Sequence, residues 1–530
     1  MSRVKKITSP EKSPSVTIQG RMIARNAALS FLPEIVSIVV GLFSLPFIIR
    51  GLGTNSFGVL SLAWVLLGYF SMFDLGLSRA ATKLVSEALG KGETDDVSPL
   101  IGTTLTLQVC LGLAAGVIVA LCVPFLATRV LRIPLTVLPE AESSFYILAG
   151  CVPIVLASGS LRGTLEALQR FDLITYVRIP TNALMFLCPL ALLPLGIRLR
   201  GVVLAMALVR SGAMLAYFLL CLKLVCPARS FFSFHRAFVR RLASFGSWIT
   251  VSNLAGPILV YVDRFVLGAM VSVSAVAYYA APADMVNRLL ILPSSLSATL
   301  FPAFSTLDAR GEREKGGELF ARALKFVFLV LGPCAAVIAA FSSDILRLWL
   351  GSDFAQRSAA ALAVLAFAVF VNGLGFFPSA LLQGVDRPDL TAIFHVVELP
   401  VYLGAIWFLV ARLGILGAAL ACAIRVALDS ILLFSACFRL RLTSFRSLAR
   451  ERIGRSAVLL SAFTGAVFLV SLEGSGITRA GLTVFLAAIY LLVCWRVALN
   501  DRDKSFFLVS LRSIAPGLGA VPTLRSGLPQ

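Results

Sequence analysis

A chain of 530 residues that is 58% apolar and only 14% charged, with a mean hydropathy of +0.92, is not a water-soluble globule. Its formal charge of +20 invites a nucleic-acid reading. However, the Lys and Arg residues sit in short segments between apolar runs and do not gather on one face of a soluble domain, so nucleic acid is not an expected partner. The ten cysteines fall mostly within the apolar runs with no CxxC pair, and there are only two histidines, so neither a disulfide framework nor a metal centre is expected, and no cofactor is implied.

A bilayer core about 30 Å thick needs roughly 20 apolar residues per spanning helix. The apolar runs here are continuous and not alternating, which predicts helices and excludes a barrel. Residues 1–21, polar and basic, read as a disordered cytoplasmic tail and not as a removable signal. Spans are then expected at 28–49, 57–78, 101–123, 144–164, 174–195 and 201–222, forming an N-terminal six-helix bundle over 22–222. A basic cytoplasmic linker at 223–243 leads into spans at 244–267, 275–301, 323–342, 359–382, 391–411 and 415–437, a second six-helix bundle over 244–438. Two additional helices, 456–472 and 479–498, occupy 439–500, and 501–530 reads as a cytoplasmic tail. The expectation is an all-α membrane protein with about fourteen transmembrane helices.

Assigning alternate loops to alternate sides tests that count. With the N-terminus in the cytoplasm, the inside set takes Lys5, Lys6, Arg21 and Arg25; Arg79, Lys83 and Lys91; Arg236, Arg240 and Arg241; Arg310, Arg313 and Lys315; and Arg439, Arg441, Arg446, Arg450 and Arg452. The bias toward the inside is roughly threefold. Miscounting one span would swap every later loop and erase the asymmetry, so an even number of spans with both termini cytoplasmic is expected in a bacterial inner membrane. The basic loops serve topology and attraction to anionic membrane lipids, an explanation preferred over docking of a synthase.

The halves resemble each other at an offset near 215 residues. Leu161-Arg162-Gly163 with Gln169-Arg170-Phe171-Asp172-Leu173 parallels Leu382-Gln383-Gly384 with Asp386-Arg387-Pro388-Asp389-Leu390. Gly201 to Arg210 parallels Gly417 to Arg425, and Arg50 with Gly53 and Gly58 answers Arg264 with Gly268 and Ala277. Six helices per repeat is even, so the two repeats are parallel, as in transporters that rock two bundles about a central cleft.

The run Arg50-Gly-Leu-Gly-Thr-Asn-Ser-Phe-Gly58, with Tyr69-Phe-Ser-Met-Phe-Asp-Leu-Gly-Leu77 and Arg79, resembles the N-terminal signature of bacterial oligosaccharide flippases. Asp263-Arg264-Phe-Val-Leu-Gly268 with Ala275-Val-Ala-Tyr-Tyr279 is similar to the same family's second-half signature. These are the Wzx-type, polysaccharide-transport members of the MATE/MOP superfamily, which also holds multidrug extruders and lipid II flippases. The resemblance covers residues from about 22 to 440. It implies a MATE/MOP-like fold and a function as a flippase, not an enzyme. The cargo it implies is an undecaprenyl-diphosphate-linked oligosaccharide, an O-antigen or exopolysaccharide repeat unit, moved from the inner to the outer leaflet by alternating access. The polysaccharide polymerase and export machinery are the implied partners. Proton exchange, sodium exchange and membrane potential stay open as driving forces.

A charged side chain at mid-membrane costs at least about 2.5 kcal/mol, so each one needs a reason. Arg210, Arg288 and Arg425 are the candidates to hold the diphosphate, because a guanidinium makes charge-assisted, often bidentate bonds to phosphate oxygens. Asp284 and Arg288 lie four apart on one helical face with Asn287 adjoining, and Arg425 and Asp429 share that spacing, so each pair is expected to close on itself when no cargo is bound. Asp74 is a candidate for either a lock or a cargo contact. Glu34 beside Pro33, and His395 with Glu398 three residues on, are candidates for gating or ion coupling against the blander reading of hydrogen bonding within the bundle. A multidrug or cation extruder of the same fold is the first alternative function. A membrane glycan polymerase or glycosyltransferase is the second, disfavoured because neither a large outer loop nor a nucleotide-sugar domain is legible.

Overall fold

A computed structural model describes residues 15–70, 74, 76–91, 94–168, 170–225, 235, 238–239, 259–472, 476–501 and 503–504. Among the described residues every regular element is a helix. In chain order these are α1 (Ser15–Tyr69), α2 (Leu77–Lys91), α3 (Thr94–Phe125), α4 (Leu138–Ala167), α5 (Phe171–Leu192), α6 (Leu199–Val225), α7 (259–270), α8 (Val273–Asn287), α9 (Ile291–Ala309), α10 (Arg313–Ala340), α11 (Ser342–Trp349), α12 (Ser352–Gly384), α13 (Pro388–Arg439), α14 (Phe445–Arg450), α15 (Ile453–Ser471) and α16 (Gly476–Val493).

Eleven helices among the described residues are long and apolar enough to cross a membrane, which makes this a multi-pass membrane protein. Two of the eleven cover two expected spans each. Within α1 only Gly53 departs from helix (φ 77°, ψ 163°), and within α13 only Gly414 does (φ 55°, ψ −124°). Both conformations belong to glycine, because a Cβ would clash with the backbone there. The separate expected spans 28–49 and 57–78, and likewise 391–411 and 415–437, are therefore joined through a glycine corner and not parted by a loop. The expected span 244–267 lies for its greater part outside the described residues, as does most of the linker at 223–243.

Both expected tails need correction at their inner ends. Helix α1 already begins at Ser15, directly after Pro14, inside the stretch 1–21 read as a disordered tail. Proline is tolerated at a helix start, where its missing N–H has no partner to lose. At the other end, Asp503, inside the stretch read as a tail from 501, is 1% exposed and ion-paired with Lys325.

The chain divides into two compact units. The first comprises residues 1–288, 346–361 and 395–422, and the second comprises 289–345, 362–394 and 423–530. In the first unit α3 packs on α4, α4 on α6, and α1 on both α5 and α8. A core of Val85, Ile101, Leu165, Tyr217 and Cys221 joins α2, α3, α4 and α6. Small residues bring the backbones close, as is usual where helices associate without a hydrophobic gradient between them. A Cβ on Gly58 would collide with the carbonyl of Val273 at the start of α8. Gly58→Ala is therefore expected to cost about 1–3 kcal/mol by forcing α1 and α8 apart. An immunoblot of membranes checks this, with less Gly58→Ala protein expected and an unchanged level for Gly404→Ala, where an added Cβ meets nothing.

In the second unit, Phe304, Phe320, Leu324, Phe377 and Cys437 form one core, and Phe463, Val467 and Tyr490 another. Lys325 of α10, 0% exposed, donates to Glu451 Oε2 at 2.8 Å and to Asp503 Oδ2 at 2.5 Å. Arg322 lies 3.3 Å from Asp503 and 3.6 Å from Glu451, and Asn500 donates to both carboxylates. Two cations thus balance two anions, and the group ties the segments flanking α15 and α16 to α10.

The repeat is legible in hydrogen bonding. Arg170 chelates Asp172 at 3.0 and 2.9 Å, and 217 residues on (170 to 387) Arg387 chelates Asp389 at 2.9 and 3.0 Å. The N–H of Arg170 donates to Leu165 as that of Arg387 does to Leu382, and the thiols of Cys221 and Cys437 donate to the carbonyls of Leu161 and Pro378. This register corrects one expected match. Leu161-Arg162-Gly163 corresponds to Pro378-Ser379-Ala380, not to Leu382-Gln383-Gly384. Gly201 with Gly417 and Cys221 with Cys437 give an offset of 216, which places Val426 at the position of Arg210. Arg425 therefore stands about 100° around the helix from its expected counterpart.

Candidate functional site

Five helices of the first unit, α1, α5, α6, α7 and α8, supply the walls of one cavity of about 220 Å³. One side is apolar and aromatic. Trp64 of α1 tilts against Phe186 of α5, with ring centroids 5.4 Å apart, next to Leu45, Val65 and Met185. The remaining wall is charged, with Arg210 from α6, Arg264 and Tyr261 from α7, Asp284 from α8 and Arg288 at the end of α8. Three arginines face one aspartate.

Helix geometry explains how they converge. Tyr261 and Arg264 are three apart on α7, and Asp284 and Arg288 four apart on α8, so each pair presents one face. At Arg288 the α-helix gives way to a 3₁₀ turn, Arg288–Leu290, just before Pro293.

Arg264 is the anchor. It is 5% exposed, donates from Nη2 to Asp284 Oδ1 at 2.5 Å, and lies over the Tyr261 ring at 5.5 Å. The neighbouring Asp263 accepts from the Arg264 backbone N–H at 2.8 Å and from the Tyr279 hydroxyl at 2.5 Å. The expected closure of Asp284 on Arg288 does not form. A buried guanidinium without a counter-charge is far more costly than a half-buried one, so the carboxylate goes to Arg264. Arg288 makes no ion pair among the described residues. Arg210 makes none either, and its Nε is buried without a hydrogen-bond partner there.

The other expected site residues lie elsewhere. Asn287 is exposed and does not line the cavity. Asp74 accepts from the backbone N–H and hydroxyl of Ser78, at 3.1 and 3.0 Å, and from the side chain of Gln108, so it fastens the start of α2 to α3. Glu34 is ion-paired with Arg178 at 2.5 Å, and the carbonyl of Pro33 accepts from Asn182 at 3.3 Å. His395 and Glu398 share a face of α13 in the first unit, with Glu398 0% exposed, while Arg425 and Asp429 belong to the second unit; none of the four lines the cavity.

Arg264 is the residue that sequence reasoning passed over. Its signal was present as the pair Asp263-Arg264 in an apolar stretch, yet it was matched to Arg50, which is exposed. Composition cannot tell a buried arginine from one at a helix end.

An all-helical, multiply spanning chain with an arginine-rich cavity among its spans defines a multi-pass membrane protein with a charged site. The fold is that of the MATE/MOP transporters. It matches the inward closed structure of the lipid II flippase MurJ with a TM-score of 0.71 at 13% identity, over 89% of this chain and 99% of that one. An inward-facing multidrug resistance MATE family transporter of the MOP superfamily matches with a TM-score of 0.67 at 16% identity, over 79% and 98% of the two chains. A Shigella flexneri protein described as a "Putative O-antigen transporter" is 27% identical over 423 residues, 78% of this chain and 96% of that protein. The chain belongs to the polysaccharide biosynthesis protein family, whose model matches residues 23–308.

Proposed function

We propose that this protein flips an undecaprenyl-diphosphate-linked oligosaccharide from the inner to the outer leaflet of the bacterial inner membrane, with both termini in the cytoplasm and without catalysing a covalent step. The observation that carries the reading is the charge balance of the cavity. Arg264 neutralises Asp284, which leaves Arg210 and Arg288 as cations among the spans with no carboxylate paired to them among the described residues. Two free guanidiniums in a low-dielectric site favour an anion of matching charge, and a diphosphate supplies oxygens for bidentate bonds from both.

The volume fits the same cargo. At about 220 Å³ the cavity is below the range of roughly 300–1,000 Å³ usual for drug-sized ligands, so it is scaled to a diphosphate head and not to a whole glycan. The Trp64–Phe186 wall offers an apolar face for the first prenyl carbons or a sugar ring. Alternating access of this cavity to the two membrane faces would carry the head group across while the prenyl chain stays in lipid. An organic-cation extruder requires the opposite balance, an acid left without its arginine.

Complementation of a strain lacking its own O-antigen flippase tests the reading. Arg288→Ala and Arg210→Ala are each expected to lower surface glycan about tenfold or more with normal protein in the membrane, the loss of one charge-assisted contact being worth about 1.4 kcal/mol or more. Arg288→Lys should retain part of the activity, because it keeps the charge and loses the fork. Full surface glycan in the Arg210→Ala/Arg288→Ala double variant would remove this cavity from the transport path. Export of organic cations by vesicles that leave lipid-linked sugar untouched would overturn the cargo.

A further inference from the structure

The second unit holds a larger cavity, about 730 Å³, between the start of α10 and the segment from Arg441 to Arg450. Its lining includes four arginines, Arg313, Arg441, Arg446 and Arg450, against two glutamates, Glu314 and Glu318. The pairing within it is uneven. Arg450 is held by Glu318 at 2.5 Å, and Arg313 reaches Asp308 at 3.2 Å. Arg441 and Arg446 make no ion pair among the described residues, and Glu314 lies 3.8 Å from Arg450, so with Asp308 counted four arginines stand against three carboxylates and a positive excess remains.

Three features distinguish this arrangement from a generally basic loop. Arg441 is a non-glycine residue in the left-handed region, φ 54°, a conformation that persists only where the surroundings impose it. Gly317 lets the turn ride directly on α10, since a Cβ there would stand 3.1 Å from the carbonyl of Leu442. Thr443, which lines the cavity, is 6% exposed, and its hydroxyl has no hydrogen-bond partner among the described residues. A buried hydroxyl left unsatisfied is destabilising, and an acceptor entering the cavity would relieve it. Ser444 does not serve the same purpose, because its oxygen caps α14 by accepting from the Ser447 N–H at 3.2 Å.

We propose that this cavity is a second anion site that takes a phosphate group, carried by either a lipid head group or a free phosphate compound, between Arg441 and Arg446 with Thr443 donating to a phosphate oxygen. The positive excess suits an anion, and the guanidinium forks with one hydroxyl are donors suited to tetrahedral oxygens. Both segments belong to the set that the charge bias assigns to the cytoplasmic side. The site is separate from the cargo reading above, since none of its residues belongs to the Arg264 cavity.

Arginine modification by phenylglyoxal, resolved by peptide mass spectrometry on the full-length protein, tests the proposal in two arms. One arm adds inorganic pyrophosphate in detergent. The other compares nanodiscs of phosphatidylglycerol with nanodiscs of phosphatidylcholine. Modification of Arg441 and Arg446 is expected to slow roughly tenfold in at least one arm, with the exposed Arg310 outside the cavity unaffected. Protection by pyrophosphate identifies a free phosphate compound, and protection by phosphatidylglycerol identifies a head group. Thr443→Val, which keeps the shape of the side chain, should lose several-fold of that protection. Equal slowing at Arg310, no slowing in either arm, or protection indifferent to Thr443→Val would each overturn the site.

Discussion

Arg264→Met is expected to remove much of the protein from the membrane, at a cost of up to about 3–5 kcal/mol, because it takes from Asp284 the cation that is paired with it among the described residues. The effect should exceed that of Arg288→Ala, since Arg264 is 5% exposed whereas Arg288 is only half-buried. The decisive measurement is rescue. Removing both partners of a buried ion pair is often close to neutral, so Arg264→Met/Asp284→Leu should restore membrane abundance. It should also restore much of the surface glycan, because Arg210 and Arg288 still face the cavity. A double variant that is abundant but inactive would instead assign Arg264 a direct hold on the cargo. A double variant as scarce as the single one would mean that the ion pair is not what Arg264 contributes.

Lys325→Met is expected to loosen the C-terminal helices from α10. It exposes Glu451 and Asp503 to each other with only Arg322 between them, again at about 3–5 kcal/mol. Limited proteolysis reads this directly, with cleavage near residues 440–452 accelerated in the variant. Ending the chain at Asn500 removes Asp503 and should have the same sign, leaving Lys325 with one carboxylate in place of two. Lys325→Met/Asp503→Leu keeps one cation, Arg322, opposite one anion, Glu451, and should recover resistance. Unchanged proteolysis in Lys325→Met would show that α15 and α16 are held by apolar packing alone, through residues such as Phe463 and Val467.

These two ion groups also show where reading the chain without its structure runs out. Asp284 and Arg288 have the spacing of a helical ion pair, and the spacing is real, yet the partner comes from 20 residues away. Lys325 lies within an expected span, 323–342, where no local pattern marks it, and its carboxylates are 126 and 178 residues distant. Asp74 sits in a motif that reads equally as lock or contact, and its bonds to Ser78 and Gln108, which come from outside that motif, are visible only in the structure.

What the sequence by itself determined is the class of protein. Its apolar runs announce spanning helices, and its glycine and arginine motifs point to the family that residues 23–308 match. These follow from local composition, because transfer of a 20-residue segment into lipid depends on that segment alone. The tertiary structure decided which charges meet. Arg210 and Arg288 share a cavity while Arg425 does not, and Asp284 is claimed by Arg264. Ion pairing in a low-dielectric interior is fixed by how helices cross and which face each one turns inward, and those are properties of the assembled bundle and not of any one segment.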